Sequence, residues 1–138
     1  GTQAGLLVGL AAANASVPVL GISVGRSQAE LESKVFDLAQ ETIAYAGINA
    51  TVTRDSVVCD ENYFGEAYGQ PTDAMIEAVT LCARLEGLLL DPVYTGKAMS
   101  GLIAKIRAGI YTKGQSVVFV HTGGQAALHA YRTTFTAP

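Results

Sequence analysis

"LLLDPVYTGKAMSGLIAKI", residues 88–106, joins three leucines to a Pro-Tyr-Thr-Gly turn and then to an amphipathic run. Leu88, Leu89 and Leu90 are too few for a helix and read as a short buried strand. Met99, Leu102, Ile103 and Ile106 recur at helical spacing. A strand entering a helix through a polar turn is a βα unit. Tyr94 and Thr95 then fall at the strand's carboxyl end, the edge where open α/β sheets bind ligands because the following helices turn their amino ends toward it. Position alone makes this turn a candidate site.

The same alternation extends outward in both directions. Upstream, "TDAMIEAVTLCARLEG" (72–87) is a helix capped by Thr72 and ended by Gly87, preceded by a polar, aromatic loop, "DENYFGEAYGQP" (60–71), and a strand, "SVVC" (56–59). In "SQAELESKVFDLAQETIAYAG" (27–47), Ser27 and Glu30 fit a capping box and Gly47 marks the stop, while "VPVLGISVG" (17–25) is a β-branched run bounded by turn residues. "GTQAGLLVGLAAANA" (1–15) has the small-residue texture of a helix packed close to a sheet. Downstream, "QSVVFVHTGGQAALHAY" (115–131) supplies an apolar strand, a Thr-Gly-Gly turn and a final short helix. The fold class is therefore α/β: residues 1–138 form one segment, a mostly parallel sheet with helices on both faces and one core, without repeat or linker. Gly1 and Thr2 open a helix with no strand and no initiator Met before them, so the chain reads as cut from something larger.

Charged residues make up 15% of the 138, against a usual share of roughly a quarter, so the surface is expected to be unusually apolar. A net charge of −3 without a run of Lys or Arg argues against nucleic acid and anionic membrane as partners. Gly, Asn and Pro break the apolar stretches before the roughly 20 residues of a membrane span, and no signal-like core follows a charged start, so a cytoplasmic location is expected. Cys59 and Cys82 lack metal-ligand spacing and read as two buried thiols. The sequons at Asn14 and Asn49 carry no weight without a secretion signal.

If the strands are parallel, "GTQAG", "DPVYTG" and "HTGG" converge on one sheet edge. Each has two readings. A glycine-flanked threonine at a helix start binds phosphate or is merely a cap. Tyr94 positions a substrate and transfers a proton, or packs with its hydroxyl satisfied. Thr122 bonds a ligand or closes a turn, and Gly123 and Gly124 favour close backbone approach either way. His121 and His129 lack a third metal ligand and read as structural. Lys34, Lys105 and Lys113 read as solvated and Lys97 as the opening of a helix, so no lysine stands out as a nucleophile.

"GTQAGL", "AYGQPT", "ARLEGLLLDPVYTGKAMSGLI" and "VVFVHTGGQAALHAY" resemble, in order and spacing, the carboxyl-terminal part of the D-cysteine desulfhydrase and 1-aminocyclopropane-1-carboxylate (ACC) deaminase family. The likeness covers nearly the whole chain. It implies part of the large domain of a fold type II, tryptophan synthase β-like enzyme that uses pyridoxal 5'-phosphate, acts on a small amino acid, needs the remainder of its own chain and forms a homodimer. Tyr68 and Tyr94 then match two active-site tyrosines that orient the substrate and transfer protons. Gly1 and Thr2 match the end of the phosphate loop, and Thr95, Thr122 and Gly123 join them on the cofactor side.

Deaminases resemble "DPVYEGK" and "HLGG" where this chain has Thr95 and Thr122. A carboxylate beside the pyridine nitrogen makes the ring a stronger electron sink, which suits opening a cyclopropane, whereas a hydroxyl suffices for loss of a thiol. The resemblance thus implies β-elimination of D-cysteine to pyruvate, hydrogen sulfide and ammonia, with cysteate sulfo-lyase and ACC deaminase as alternatives within the family. A non-catalytic module that binds phosphate or a partner is the alternative of another class. The family's Schiff-base lysine lies upstream of Gly1, so these 138 residues alone are expected to be inactive.

Overall fold

Ala4, Leu7, Val8 and Ala11 recur on one side of the first helix, α1 (Thr2–Ala12), at the spacing that stacks side chains along one helical face. That side packs with Val35 and Ala39 of α2 (Gln28–Ala46) and with Val52, Val57 and Cys59. The computed structural model of the chain describes residues 1–136. These divide into two compact units, Gly1–Glu61 and Asn62 onward. Each has its own cluster of buried apolar residues, where the sequence reading expects one core.

In the first unit, β1 (Leu20–Ile22) and β2 (Val58–Asp60) pair in parallel, Leu20 opposite Val58, Gly21 opposite Cys59 and Ile22 opposite Asp60. Parallel neighbours need a crossover, and α2 supplies it. Ser27 caps α2 by accepting the Glu30 N–H at 3.3 Å. Only half of the expected capping box forms, because the Glu30 carboxylate pairs with Arg26 one turn before it and Lys34 one turn after it. Gly47 ends the helix as expected. Gln3 ties the start of α1 to β2: its amide donates to the Val58 carbonyl at 2.9 Å and its oxygen lies 3.3 Å from the Cys59 sulfur.

In the second unit, α3 (Asp73–Glu86) begins where Thr72 accepts the Met75 N–H at 3.2 Å and ends at Gly87. Its buried face, Met75, Val79 and Cys82, joins Leu90 and packs with Met99 of α4 (Thr95–Arg107) and with Phe119, Leu128 and Phe135. Arg107 grips Glu77 across the two helices through two hydrogen bonds, at 2.9 and 2.6 Å. A 3-10 stretch (Gln125–Tyr131) leads into α5 (Arg132–Phe135), where the sequence reading has one short helix.

Two expected strands do not form. Residues 88–90 and 117–120 carry no ladder among the described residues, since an extended run becomes a strand only when a neighbouring backbone completes its hydrogen bonds. Leu90 is buried, but Leu88, Leu89, Val117, Val118 and Val120 are exposed. Both cysteines are buried, and burial is the main cause that raises each thiol's pKa. Among the described residues no helix is long and apolar enough to cross a membrane.

Candidate active site

The turn between Leu90 and α4 is built by one carboxylate. Asp91 Oδ1 accepts the N–H groups of Val93 and Tyr94 at 2.8 and 2.7 Å, and Oδ2 accepts the N–H and the hydroxyl of Thr95, both at 2.7 Å. The Thr95 oxygen in return accepts the Asp91 N–H at 2.8 Å. The N–H groups of Tyr94 and Thr95 are donors that a helix start leaves without a partner, and Asp91 satisfies them from outside the helix. Burial alone would raise the Asp91 carboxyl. The hydroxyl of Thr95 and the N–H groups of Thr95, Tyr94 and Val93 outweigh it and hold the group below its ordinary value.

This network presents Tyr94 at the head of α4, half exposed, with its hydroxyl 2.6 Å from that of Tyr68. The two rings meet edge to face, centroids 6.0 Å apart at 72°. The Tyr68 hydrogen bond is the main cause that pushes the Tyr94 phenol above its ordinary value, with burial and the charges of Tyr68 and Asp91 adding to it. Tyr94 is thus a weaker acid than an ordinary phenol, which itself carries its proton at neutral pH.

The "HTGG" turn reaches the same carboxylate. A side chain at Gly124 would begin 3.0 Å from Asp91 Cγ, and the residue holds φ +90°, so glycine is required there. The His121 ring bridges the turn to the leucine run: Nδ1 accepts the Gly123 N–H at 3.0 Å, which leaves Nε2–H to donate to the Leu89 carbonyl at 3.1 Å. This agrees with the structural reading of His121. Gly96 lets α4 close onto α3, since a Cβ there would lie 2.6 Å from the Asp91 carbonyl oxygen and 2.7 Å from Val79 Cγ2. Gly96→Ala is accordingly expected to destabilise the protein by about 1–3 kcal/mol, read as a lower urea midpoint.

The second unit thus brings Tyr68 directly to Tyr94, with Thr95 next to Tyr94 at the start of α4. Thr95 is buried and its hydroxyl proton is committed to Asp91, so toward a cofactor it offers only a lone pair. Thr122 is exposed and Gly123 is half buried. In the first unit, Gly1 and Thr2 are exposed at the start of α1, where no side chain caps the helix and no acidic residue stands in the first turn. The first intrahelical bond runs from the Gly5 N–H to Gly1, and a side chain at Gly1 would meet nothing within 4 Å. The N–H groups of a helix's first turn are suited to an anion in general.

Two residues escape the sequence reading. Asp91 has a legible signal, since Asp-Pro with a hydroxyl residue four positions later is a turn and capping pattern. Lys97 has none. Expected merely to open a helix, it is wholly buried, and its ammonium donates to the Phe64 carbonyl at 2.6 Å and the Ala67 carbonyl at 3.5 Å.

Residues 1–123 match the family described as pyridoxal-phosphate dependent enzyme. The chain belongs to that family. Its members use pyridoxal phosphate, the cofactor expected from the sequence. The chain is 41% identical over 134 residues to a 1-aminocyclopropane-1-carboxylate deaminase of Burkholderia cenocepacia (strain J2315) and 40% identical to one of Ralstonia nicotianae, covering 97% of this chain and 40% of each relative. A crystal structure of an ACC deaminase homologue matches with a TM-score of 0.84 at 33% identity, over 97% of this chain and 39% of that one. The chain spans about 40% of the length of these relatives. The likeness supports the fold type II α/β architecture.

Proposed function

We propose that the full-length protein is a pyridoxal-phosphate-dependent lyase of a small amino acid, in which this chain supplies two proton-bearing tyrosines and a phosphate-facing helix end. The observation that carries this reading is the 2.6 Å contact between Tyr68 and Tyr94 in a chain of this family. The named relatives favour ring-opening deamination of 1-aminocyclopropane-1-carboxylate over the D-cysteine reaction that the motifs first suggest. Gly1 and Thr2 would hold the cofactor's phosphate, with Thr122, Gly123 and Thr95 also on the cofactor side. When bound, the cofactor would supply an electron sink for the α-carbon as a bond to it breaks, a ring C–C bond in ring opening or the C–H bond in β-elimination.

The tyrosines supply the rest. A phenol held protonated acts as a donor, so Tyr94 Oη delivers a proton to the carbon or leaving group that accumulates charge. The Tyr68 hydroxyl, in direct contact, replaces that proton. In ring opening the acceptor is a ring carbon; in β-elimination it is the departing sulfur. The expected setting is the cytoplasm, with the remainder of its own chain and a second copy as partners.

β-Elimination of D-cysteine, or of L-cysteate, remains a second reading because one specific observation favours it. Thr95 and Thr122 place hydroxyls where the resemblance gives deaminases a carboxylate and a leucine. The deciding experiment offers the cofactor-loaded full-length protein each substrate separately and measures ammonia, sulfide and sulfite. Ammonia and 2-oxobutanoate from 1-aminocyclopropane-1-carboxylate at the highest kcat/KM support the first reading. Sulfide or sulfite as the dominant product moves the assignment to the second, and no turnover of any of them sinks the lyase reading.

A further inference from the structure

The placement of Lys97 is unfavourable on two counts. It sits in the first turn of α4, where the positive end of the helix repels a cation, and complete burial strips the ammonium of water and pulls its pKa below the usual lysine range. Something must offset this. Both of its hydrogen bonds go to carbonyls of one loop, those of Phe64 and Ala67. Tyr68 is the next residue in that loop. On its other side, the Gly69 carbonyl accepts the hydroxyl proton of Tyr131 at 2.7 Å.

We propose that Lys97 and Tyr131 are positioning residues that mount Tyr68 against Tyr94. The loop that carries Tyr68 is held on both sides by side chains from different elements: Lys97 of α4 bonds the Phe64 carbonyl at 2.6 Å and reaches that of Ala67 at 3.5 Å, and Tyr131, from the 3-10 stretch that follows the "HTGG" turn, bonds that of Gly69 at 2.7 Å. Tyr94 immediately precedes the helix that carries Lys97 three residues later, so the start of α4 fixes one tyrosine through its own backbone and the other through the loop. Within this chain the two rings are half exposed and touch each other only edge to face, so their 2.6 Å hydroxyl contact depends on how the two backbones are held. Lys97 thereby acts on the reaction without touching substrate. Its bearing on catalysis rests on the proposed role of the tyrosine pair; the mounting itself does not.

The test uses the cofactor-loaded full-length protein with ¹³Cζ-tyrosine labelling, the Tyr94 resonance being assigned by its loss in Tyr94→Phe. In Lys97→Met the Tyr94 titration is expected to fall from its raised value toward that of an ordinary phenol, as in Tyr68→Phe, while bound cofactor is retained. kcat should drop about 10- to 100-fold through misplacement of the pair. Tyr131→Phe should move the titration in the same direction by less, and it decides the matter alone if Lys97→Met does not fold. A Tyr94 titration unchanged from wild type in the variants that fold overturns the proposal, even if their turnover falls. A titration that moves while kcat stays constant sustains the mounting and removes the tyrosine pair from the chemistry.

Discussion

Tyr94→Phe in the full-length protein is expected to lower kcat by about 10²–10⁴-fold and to leave KM within a few-fold of wild type. The phenol is the group best placed to donate, because it stands half exposed at the head of α4 with its hydroxyl against that of Tyr68, and a tyrosine carries its proton at neutral pH. Phenylalanine retains the ring, and the Asp91 network beneath it involves only the backbone of residue 94. The loss should therefore fall on the transition state and leave binding largely intact. Since the hydroxyls touch, Tyr68→Phe should cost a comparable factor, and the double variant little more than either single one. Steady-state kinetics on the preferred substrate checks both. Independent, multiplicative losses would show that the tyrosines do not share a proton.

Asp91→Ala should be the most damaging substitution for stability in the second unit, at about 3–5 kcal/mol. Alanine abandons the N–H groups of Val93, Tyr94 and Thr95 and the hydroxyl of Thr95 together, at a place where water does not replace the carboxylate. The pH dependence gives an independent check. A carboxyl whose pKa is lowered by folding contributes stability that is complete above its unfolded value, near 3.9, and is lost as pH falls through the lower folded value. The wild-type urea midpoint should therefore fall below about pH 4 in part through Asp91, and the variant should lack that share of the slope.

Much of this was legible in the sequence where a local rule acts alone. Ser27, Gly47, Thr72 and Gly87 mark helix ends by backbone chemistry confined to one turn, and all four stand where expected. Parallel pairing was legible from the alternation of elements, and the two strands flanking α2 obey it. The run at 88–90 and the run at 117–120 were misread for the opposite reason: apolar, β-branched composition announces a willing strand but cannot show whether another backbone completes it.

The site divides the same way. Tyr94 follows from its place at the head of a helix, but its partner Tyr68 lies 26 residues earlier in an irregular loop, and only family likeness singled it out. Asp91 was readable as a turn residue and was passed over for the tyrosine beside it. Lys97 lies outside any local rule, because a lysine among small residues is ordinarily solvated and its acceptors are more than 30 residues distant for Phe64 and 30 for Ala67.

The most direct measurement is borohydride reduction of the cofactor-loaded full-length protein, followed by mapping of the pyridoxyl-lysine. The account predicts one adduct, on a lysine outside residues 1–138, because Lys97 is buried against the tyrosine loop and Lys34, Lys105 and Lys113 match no Schiff-base position in the family resemblance. An adduct on any of these four lysines, or a protein that takes up no cofactor, would contradict it.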